Sequence, residues 1–252
     1  MIRIEGRGAV YGEVWFNEEP PHDADIDIAI YRQRDNPVEG ARNERFVSLK
    51  TALDVPENAI MSAFGRECRY QIRRADNVRD GLSHEFLRDP ADRLAAFGDF
   101  YDACLGATVP PCDMQWLTAA HRAGQLALSA AVREGKRLVW HAYMVSGKTA
   151  HLMFSASSFR DHAGSMRALV GRANRWLHWR GMLQLRELGL THYDWGGLFE
   201  YESSTGRVGI NRFKEDFGGH RVCTYNCVLP LTLRGRIYLP LREACRRLQA
   251  RR

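Results

Sequence analysis

The chain has 252 residues, of which 45% are hydrophobic and 26% charged, the composition of a folded protein with one or two domains. It has no apolar run of about 18 residues and no apolar signal core near Met1, so we expect a cytoplasmic protein without a membrane span. The net charge of +6 is uneven, because residues 1–105 carry 14 Lys and Arg against 20 Asp and Glu, whereas residues 106–252 carry 22 against 10. A basic half is typical of proteins that bind RNA or another polyanion, although 32 of the 36 basic residues are arginine and a coding bias explains this equally well.

The first half of the chain is predicted to contain strands, loops and two helices. Alternation of Ile26, Ile28 and Ile30 with polar or small residues predicts a half-buried strand, and the polar residues 32–46 predict a loop. A helix is predicted from Pro56 to about Ala75, and a short strand and a second helix over 84–87 and 89–104. Four arginines of the first helix form either a basic binding stripe or a solvated face: Arg66, Arg69, Arg73 and Arg74.

The second half is predicted to form a mixed α/β layer. Val109-Pro110-Pro111 is typical of a domain boundary, which predicts domains over 1–108 and 109–252. The patterns then predict a helix over 115–124, an antiparallel meander over 126–133, 137–145 and 151–155, and a long helix over 166–188. Strands over 191–195 and 222–228 follow, and then a basic helix over 232–250 in which Pro240 is a candidate break.

Six cysteines occur without the spacing of a metal site, at positions 68, 104, 112, 223, 227 and 245. We interpret them as buried free thiols. If the strand that contains Cys223 and Cys227 is regular, both side chains lie on one face. No other motif of metal or covalent catalysis occurs, and no cofactor is predicted.

Two glycine pairs stand out near the end of the chain. The first closes Tyr193-Asp194-Trp195-Gly196-Gly197, and the second closes Arg212-Phe213-Lys214-Glu215-Asp216-Phe217-Gly218-Gly219. Glycine pairs permit positive φ and close backbone approach, so either two tight turns or a ligand site with Lys214 beside bare amides is expected. Asp194 would orient an amine, accept its proton or cap the turn.

Together with Arg172-Ala-Asn174-Arg-Trp-Leu-His178, these motifs resemble the Fem-type branch of the GNAT-like acyltransferases, whose pattern is a helix, GxxxYDxGG and GxxxFKxxFGG. The segment Arg69-Tyr-Gln-Ile-Arg-Arg-Ala75 resembles the first-domain segment of that branch, and the similarity covers about residues 60–252. The resemblance implies tandem GNAT-like lobes, with an abbreviated N-terminal lobe and a complete C-terminal one, and a cleft between them.

The resemblance also implies amide-bond formation on an amine acceptor with aminoacyl-tRNA as donor, as on a peptidoglycan precursor or a natural product. It places Phe213 and Lys214 at the reaction centre, where Lys214 is suited to stabilising an oxyanion. Further residues expected to bind substrate are Arg212, Gly196, Gly197, Tyr193, Arg172, Asn174 and His178. Asn174 and His178 share a helix face, and with Arg172 they form either a cleft lining or a polar helix side.

Two alternatives stay open at this stage. One is an acyl-CoA-dependent GNAT N-acyltransferase, which would grip a pyrophosphate with a glycine-rich turn; the nearest match, Arg160-Asp-His-Ala-Gly164, has a single glycine. The other is a non-catalytic RNA- or nucleotide-binding module. The patterns specify neither the transferred amino acid nor the acceptor nor the oligomeric state.

Overall fold

The structure is a computed structural model that describes residues 1–106, 109–200 and 205–249. Its contacts define two compact units, one made of residues 1–46 with those from 223 onward and one made of residues 47–222. The domain division predicted at 108/109 adjoins residues 107–108, which lie outside the described residues, and it stays a prediction.

The described part of the chain contains ten strands and seven α-helices. The strands are β1 (Ile2–Glu5), β2 (Val10–Trp15), β3 (Ile28–Arg34), β4 (Arg42–Ala52), β5 (Leu82–Leu87), β6 (Leu126–Arg133), β7 (Lys136–Ser146), β8 (Thr149–Ser157), β9 (His192–Gly197) and β10 (His220–Pro230). The helices are α1 (Glu57–Ala63), α2 (Arg66–Ala75), α3 (Leu94–Leu105), α4 (Met114–Arg122), α5 (Gly164–Glu187), α6 (Thr205–Glu215) and α7 (Leu233–Gln249). None of the described helices is both long enough and apolar enough to cross a membrane.

In the first unit, the sheet has the order β1-β2-β3-β10, with β2 and β3 parallel and the other pairs antiparallel. Helix α7 packs Tyr238 and Leu239 against a small core around Tyr11. Gly235 is required for this packing, because a Cβ there would lie 2.3 Å from the carbonyl oxygen of Asp27.

In the second unit, the sheet has the order β4-β9-β8-β7-β6-β5, and only β8 and β9 run parallel. Tight turns that contain Gly135 and Gly147, both with positive φ, connect the strands of the antiparallel meander β6-β7-β8. The long helix α5 crosses from β8 to β9, as a parallel pair of strands requires.

The main core of the second unit lies between this sheet and α5. Gly181 lets the helix approach β7, because a Cβ there would lie 2.6 Å from the Tyr143 hydroxyl. The second glycine pair also serves close approach: Gly218 and Gly219 have positive φ, and a Cβ on either would come within 2.7 Å of a backbone oxygen. These contacts fix Phe217, which is fully buried, and with it the end of α6.

The predicted meander, long helix and short strands are confirmed, but four local predictions are wrong. The loop predicted over 32–46 is shorter and covers 35–41, since β3 continues to Arg34 and β4 begins at Arg42. The predicted helix over 56–75 is two helices, because Phe64 and Gly65 are extended. Helix α7 continues through Pro240.

The fourth wrong prediction concerns the cysteines. Cys223 is exposed and Cys227 is buried, because the strand pairing shifts between Tyr225 and Cys227 and reverses the alternation. Cys245 is also exposed, whereas the remaining three thiols are buried as expected.

Candidate active site

The pocket of the second unit begins where two parallel strands separate. The pairing of β8 with β9 covers three residues and ends at His151 opposite Asp194. Beyond this point a pocket of about 520 Å³ opens. Its walls come from β8, the short 3-10 helix Ser158–Asp161, β9, α5, α6 and the end of α3. The lining residues are Cys104, Leu105, Leu152, Ser155, Ser157, Phe159, Arg160, Gly171, Asn174, Arg175, His178, Trp195, Gly209, Ile210, Phe213 and Lys214.

Asp194 lies fully buried at the point of strand separation. Its Oδ1 accepts hydrogen bonds from the Gly196 amide at 2.7 Å and from His151 Nδ1 at 3.1 Å, and its Oδ2 accepts one from Ser48 Oγ at 3.0 Å. Lys50 Nζ lies 3.9 Å from Oδ2. Burial alone would raise the pKa of Asp194, but the His151 hydrogen bond, the Lys50 charge and the Gly196 amide together lower it. Asp194 is therefore a buried carboxylate whose oxygens are already satisfied within the protein.

Lys214 extends from the last turn of α6 into the pocket wall. Its ammonium donates a hydrogen bond to the Gly197 carbonyl oxygen at 2.8 Å. Burial lowers the pKa of Lys214 to about 8, and the negative charge of Asp194 opposes this shift. Lys214 is thus a cation in a partly desolvated pocket wall, and its pKa lies close to neutral pH.

Behind the pocket, a buried chain of hydrogen bonds joins α5 to the sheet. His141 Nε2 lies 3.0 Å from Asn174 Oδ1, and His141 Nδ1 lies 3.1 Å from the Tyr143 hydroxyl. Tyr143 also hydrogen-bonds Tyr193, whose hydroxyl lies 2.9 Å from His178 Nδ1. Burial lowers the pKa of His141 to about 3 and holds that of His178 well below its usual value, so both rings are neutral near pH 7.

The direction of donation along these hydrogen bonds follows from Asn174 Oδ1, the acceptor at one end. Because Asn174 Oδ1 only accepts, neutral His141 carries its proton on Nε2, and its Nδ1 accepts from Tyr143. Tyr143 then accepts from Tyr193, and Tyr193 accepts from His178 Nδ1. His178, which lines the pocket, is left with Nε2 as a hydrogen-bond acceptor.

Arg175 is a second cation of the pocket wall. Its guanidinium stacks on Phe213, 5.0 Å from the ring centroid, and lies 3.9 Å from Asp216 Oδ2. Among the described residues, no hydrogen-bond partner is found for its buried Nε. A buried donor without a partner is costly, so this atom is suited to an anionic or carbonyl group of a ligand.

Comparison with known proteins places this fold. No family model matches the chain, and no curated protein matches it. The crystal structure of FemX matches with a TM-score of 0.61 and 14% identity, over 84% of this chain and 74% of that chain. The chain has a Fem-like fold. The structure of L-PGS from Bacillus licheniformis matches with a TM-score of 0.52 and 14% identity, over 85% of this chain and 70% of that one.

A third match is a conserved protein of unknown function from Bacteroides thetaiotaomicron VPI-5482, with a TM-score of 0.51 and 11% identity, over 76% of this chain and 63% of that one. The Fem-type resemblance is confirmed in the fold, and so is the mixed α/β fold class. At these identities the comparisons concern the fold.

The structure brings some of the predicted site residues together. Asn174, His178, Phe213 and Lys214 line one pocket of the Fem-like fold. Asp194 and Tyr193 lie behind it, within hydrogen-bond reach of His151 and His178 respectively. Gly196 donates its amide to Asp194, and the carbonyl oxygen of Gly197 holds Lys214, so each glycine already has a partner within the protein.

Other predicted site residues lie outside the pocket. Arg172 is buried and forms a bidentate ion pair with Asp80 at 2.8 and 2.9 Å, because it lies about 120° around α5 from His178. Arg212, Arg66 and Arg73 are exposed and line no part of this pocket among the described residues. Arg69 donates to the carbonyl oxygens of Ser62 and Phe64 at the end of α1. The predicted contacts of these arginines with substrate stay predictions.

Sequence reasoning missed three residues of the site. Arg175 stands inside the quoted helix motif and follows Gly171 by four residues and precedes His178 by three, so helical spacing alone would have selected it instead of Arg172. His151 and Lys50 gave no local signal, because they reach Asp194 only through the pairing of β9 with β8 and β4.

Proposed function

We propose that this protein is an acyltransferase that forms an amide bond on an amine acceptor by direct transfer from aminoacyl-tRNA. The observation that carries the proposal is Lys214, an ammonium held at the wall of a pocket in a Fem-like fold. The motif that contains it is the one through which the sequence resembles the Fem-type transferases. The same pocket supplies a neutral acceptor and a second cation, which are the groups that such a transfer needs.

In the proposed reaction, the acceptor nitrogen forms a bond to the ester carbonyl carbon of the aminoacyl group. The carbonyl oxygen becomes an oxyanion, and the bond to the ribose oxygen then breaks. The proton that the nitrogen gives up leaves with the ribose hydroxyl. An ammonium has three N–H donors, and the contact with the Gly197 carbonyl uses one, so Lys214 retains donors for the oxyanion.

His178 is assigned to the attacking amine. Its Nε2 is an acceptor because the chain of Tyr193, Tyr143 and His141 holds the proton on Nδ1. A neutral imidazole beside the carbonyl would accept a hydrogen bond from the amine and orient its lone pair for attack. Asp194 touches neither partner in this scheme; it is a positioning residue that raises the pKa of Lys214 through its charge and holds the Gly196 amide.

The charges of the pocket favour a polyanionic donor. Arg160 and Arg175 line the same pocket, and Arg175 has an unpaired buried Nε among the described residues. Phosphates and carbonyl groups of a charged tRNA end would satisfy such donors. The alternatives are acyl-CoA as donor and a module that binds RNA without turnover, and both are arms of the test.

The experiment is single-turnover transfer to a mixture of candidate amine acceptors, analysed by mass spectrometry. One arm uses pre-charged tRNA and the other uses acyl-CoA. We expect product from charged tRNA, and a rate that falls about 10²-fold in Lys214→Ala, the size typical of losing one oxyanion donor. Lys136→Ala, which removes an exposed lysine at the start of β7, is the matched control and should keep the rate.

The pH dependence separates the two roles open to Lys214. If the ammonium stabilises the oxyanion, the rate constant falls as the pH rises through about 8, because the proton is lost. Titration of the acceptor amine changes the rate of both proteins, so the informative quantity is the ratio of the native rate to the Lys214→Ala rate. A ratio that instead rises up to pH 8 would make the neutral amine of Lys214 a base and contradict the assignment. Product only from acyl-CoA would replace the donor, and tight binding of tRNA without product would favour the binding module.

A further inference from the structure

The C-terminal helix α7 carries an apolar stripe that faces solvent. Leu233, Ile237 and Leu241 are 75%, 56% and 61% exposed, and they recur every four residues, so they lie on one face of the helix. The opposite face is the one that packs in the first unit, through Gly235, Tyr238 and Leu239. The stripe is therefore not the core-facing side of α7.

Arginines border this stripe on both sides. Arg234 lies about 100° around the helix from Leu233 in one direction, and Arg236 about 60° in the other. Over its 17 residues, α7 carries five arginines and one glutamate. A helix with an exposed apolar face between cationic borders is the composition of helices that lie in the interface of an anionic bilayer.

A small pocket next to the stripe also combines arginines with apolar side chains. A pocket of about 350 Å³ is lined by Arg42 and Arg236 together with Val228, Pro230, Leu239 and Pro240. Two arginines over apolar walls suit a phosphate that is attached to an acyl chain. Arg236 belongs both to the border of the stripe and to this pocket.

We propose that α7 docks the first unit on an anionic lipid surface, with Leu233, Ile237 and Leu241 inserted between head groups and Arg236 at a phosphate. A second copy of the chain is a poorer occupant, because a two-fold pairing of stripes would bring the bordering arginines of both copies together. A bilayer buries the apolar side chains and neutralises the arginines at the same time. This proposal is independent of the proposed transfer reaction.

The test is partitioning of the whole protein onto vesicles of phosphatidylcholine with and without phosphatidylglycerol, at low and high salt. Binding is expected only with phosphatidylglycerol, and it should weaken as salt is added. The triple variant Leu233→Ser, Ile237→Ser, Leu241→Ser should lower the partition coefficient about 10²-fold, because three apolar side chains no longer insert. Arg236→Gln should lower it about fivefold.

The matched control is Leu188→Ser, which removes a 47% exposed leucine in the second unit and should leave partitioning unchanged. Thermal melts of each variant check the fold. Equal binding to both kinds of vesicle, no binding at all, or a control that falls with the triple variant would each overturn the proposal. A dimer in sedimentation equilibrium that the triple variant converts to monomer would assign the stripe to a second copy instead.

Discussion

Replacing Lys214 by methionine should make the protein more stable at neutral pH and change how its stability depends on pH. Burial lowers the pKa of Lys214 from 10.5 to about 8, so the fold disfavours its ammonium by about 3 kcal/mol at 1.36 kcal/mol per pKa unit. Methionine has a similar length and no charge. At pH 7 the variant should therefore be more stable by up to about 3 kcal/mol, or roughly 6–12 °C in Tm for a chain of this size.

The sign of the pH dependence follows from proton binding. Between pH 8 and 10.5 the unfolded chain keeps the Lys214 proton while the folded chain has released it, so the stability of the native protein rises through this window relative to the variant. The advantage of Lys214→Met should thus shrink from pH 7 to pH 10. Loss of the Gly197 hydrogen bond offsets part of the gain equally at every pH, which makes the change with pH the cleaner quantity.

The assay is urea unfolding of both proteins at pH 7, 8, 9 and 10, with the free energies of unfolding compared at each pH. Lys136→Met, at an exposed position, is the control whose difference from the native protein should not vary. A difference for Lys214→Met that stays constant across this range would refute the reasoning, since Lys214 would then hold its proton equally well in the folded and unfolded chains.

Two further predictions concern residues around the site. Gly181→Ala should lower the free energy of unfolding by about 1–3 kcal/mol because its Cβ would meet the Tyr143 hydroxyl, and by much less in a Tyr143→Phe background. Gly209→Ala, with nothing within 4 Å of its Cβ, is the control and should be neutral or stabilising. Urea unfolding of the two single alanine variants, Tyr143→Phe and the double variant measures the coupling, and an equal cost of Gly181→Ala in both backgrounds would contradict the clash. Asp194→Asn should destabilise the protein at pH 7 and flatten its acid unfolding transition. The lowered pKa of Asp194 gives stability that is present above pH 3.8 and is lost as the pH falls through the pKa of Asp194 in the folded chain. An unchanged pH midpoint of acid unfolding would contradict this.

The elements with strong periodicity were predictable from the sequence. The apolar spacing of α5 and the turn glycines of the meander specify local structure, and the glycine motifs located β9 and the end of α6. The loop predicted over 32–46 failed because β4 begins with four exposed polar residues, Arg42 to Arg45, which carry no alternation. Propensity patterns detect strands by their buried face, and this segment has none.

The site was predictable only where its residues share one helix or one motif. Asn174 and His178 were found by their spacing on α5, and Lys214 by its glycine-flanked segment. The hydrogen-bond partners of Asp194 lie far from it in the sequence, 43 residues away at His151 and 146 residues away at Ser48. Such pairs depend on the register between strands, which no local pattern encodes.

The site also explains why its residues break the usual rules of burial. Asp194, His178 and Lys214 lie in or against the core of the second unit, where a charge or a polar ring costs stability. Asp194 recovers that cost through its hydrogen bonds, and His178 avoids part of it by staying neutral. Lys214 recovers least, since burial still lowers its pKa despite the Gly197 contact. A position where the fold accepts an under-compensated cation, at the wall of a pocket, is where a developing negative charge in a substrate would be stabilised most.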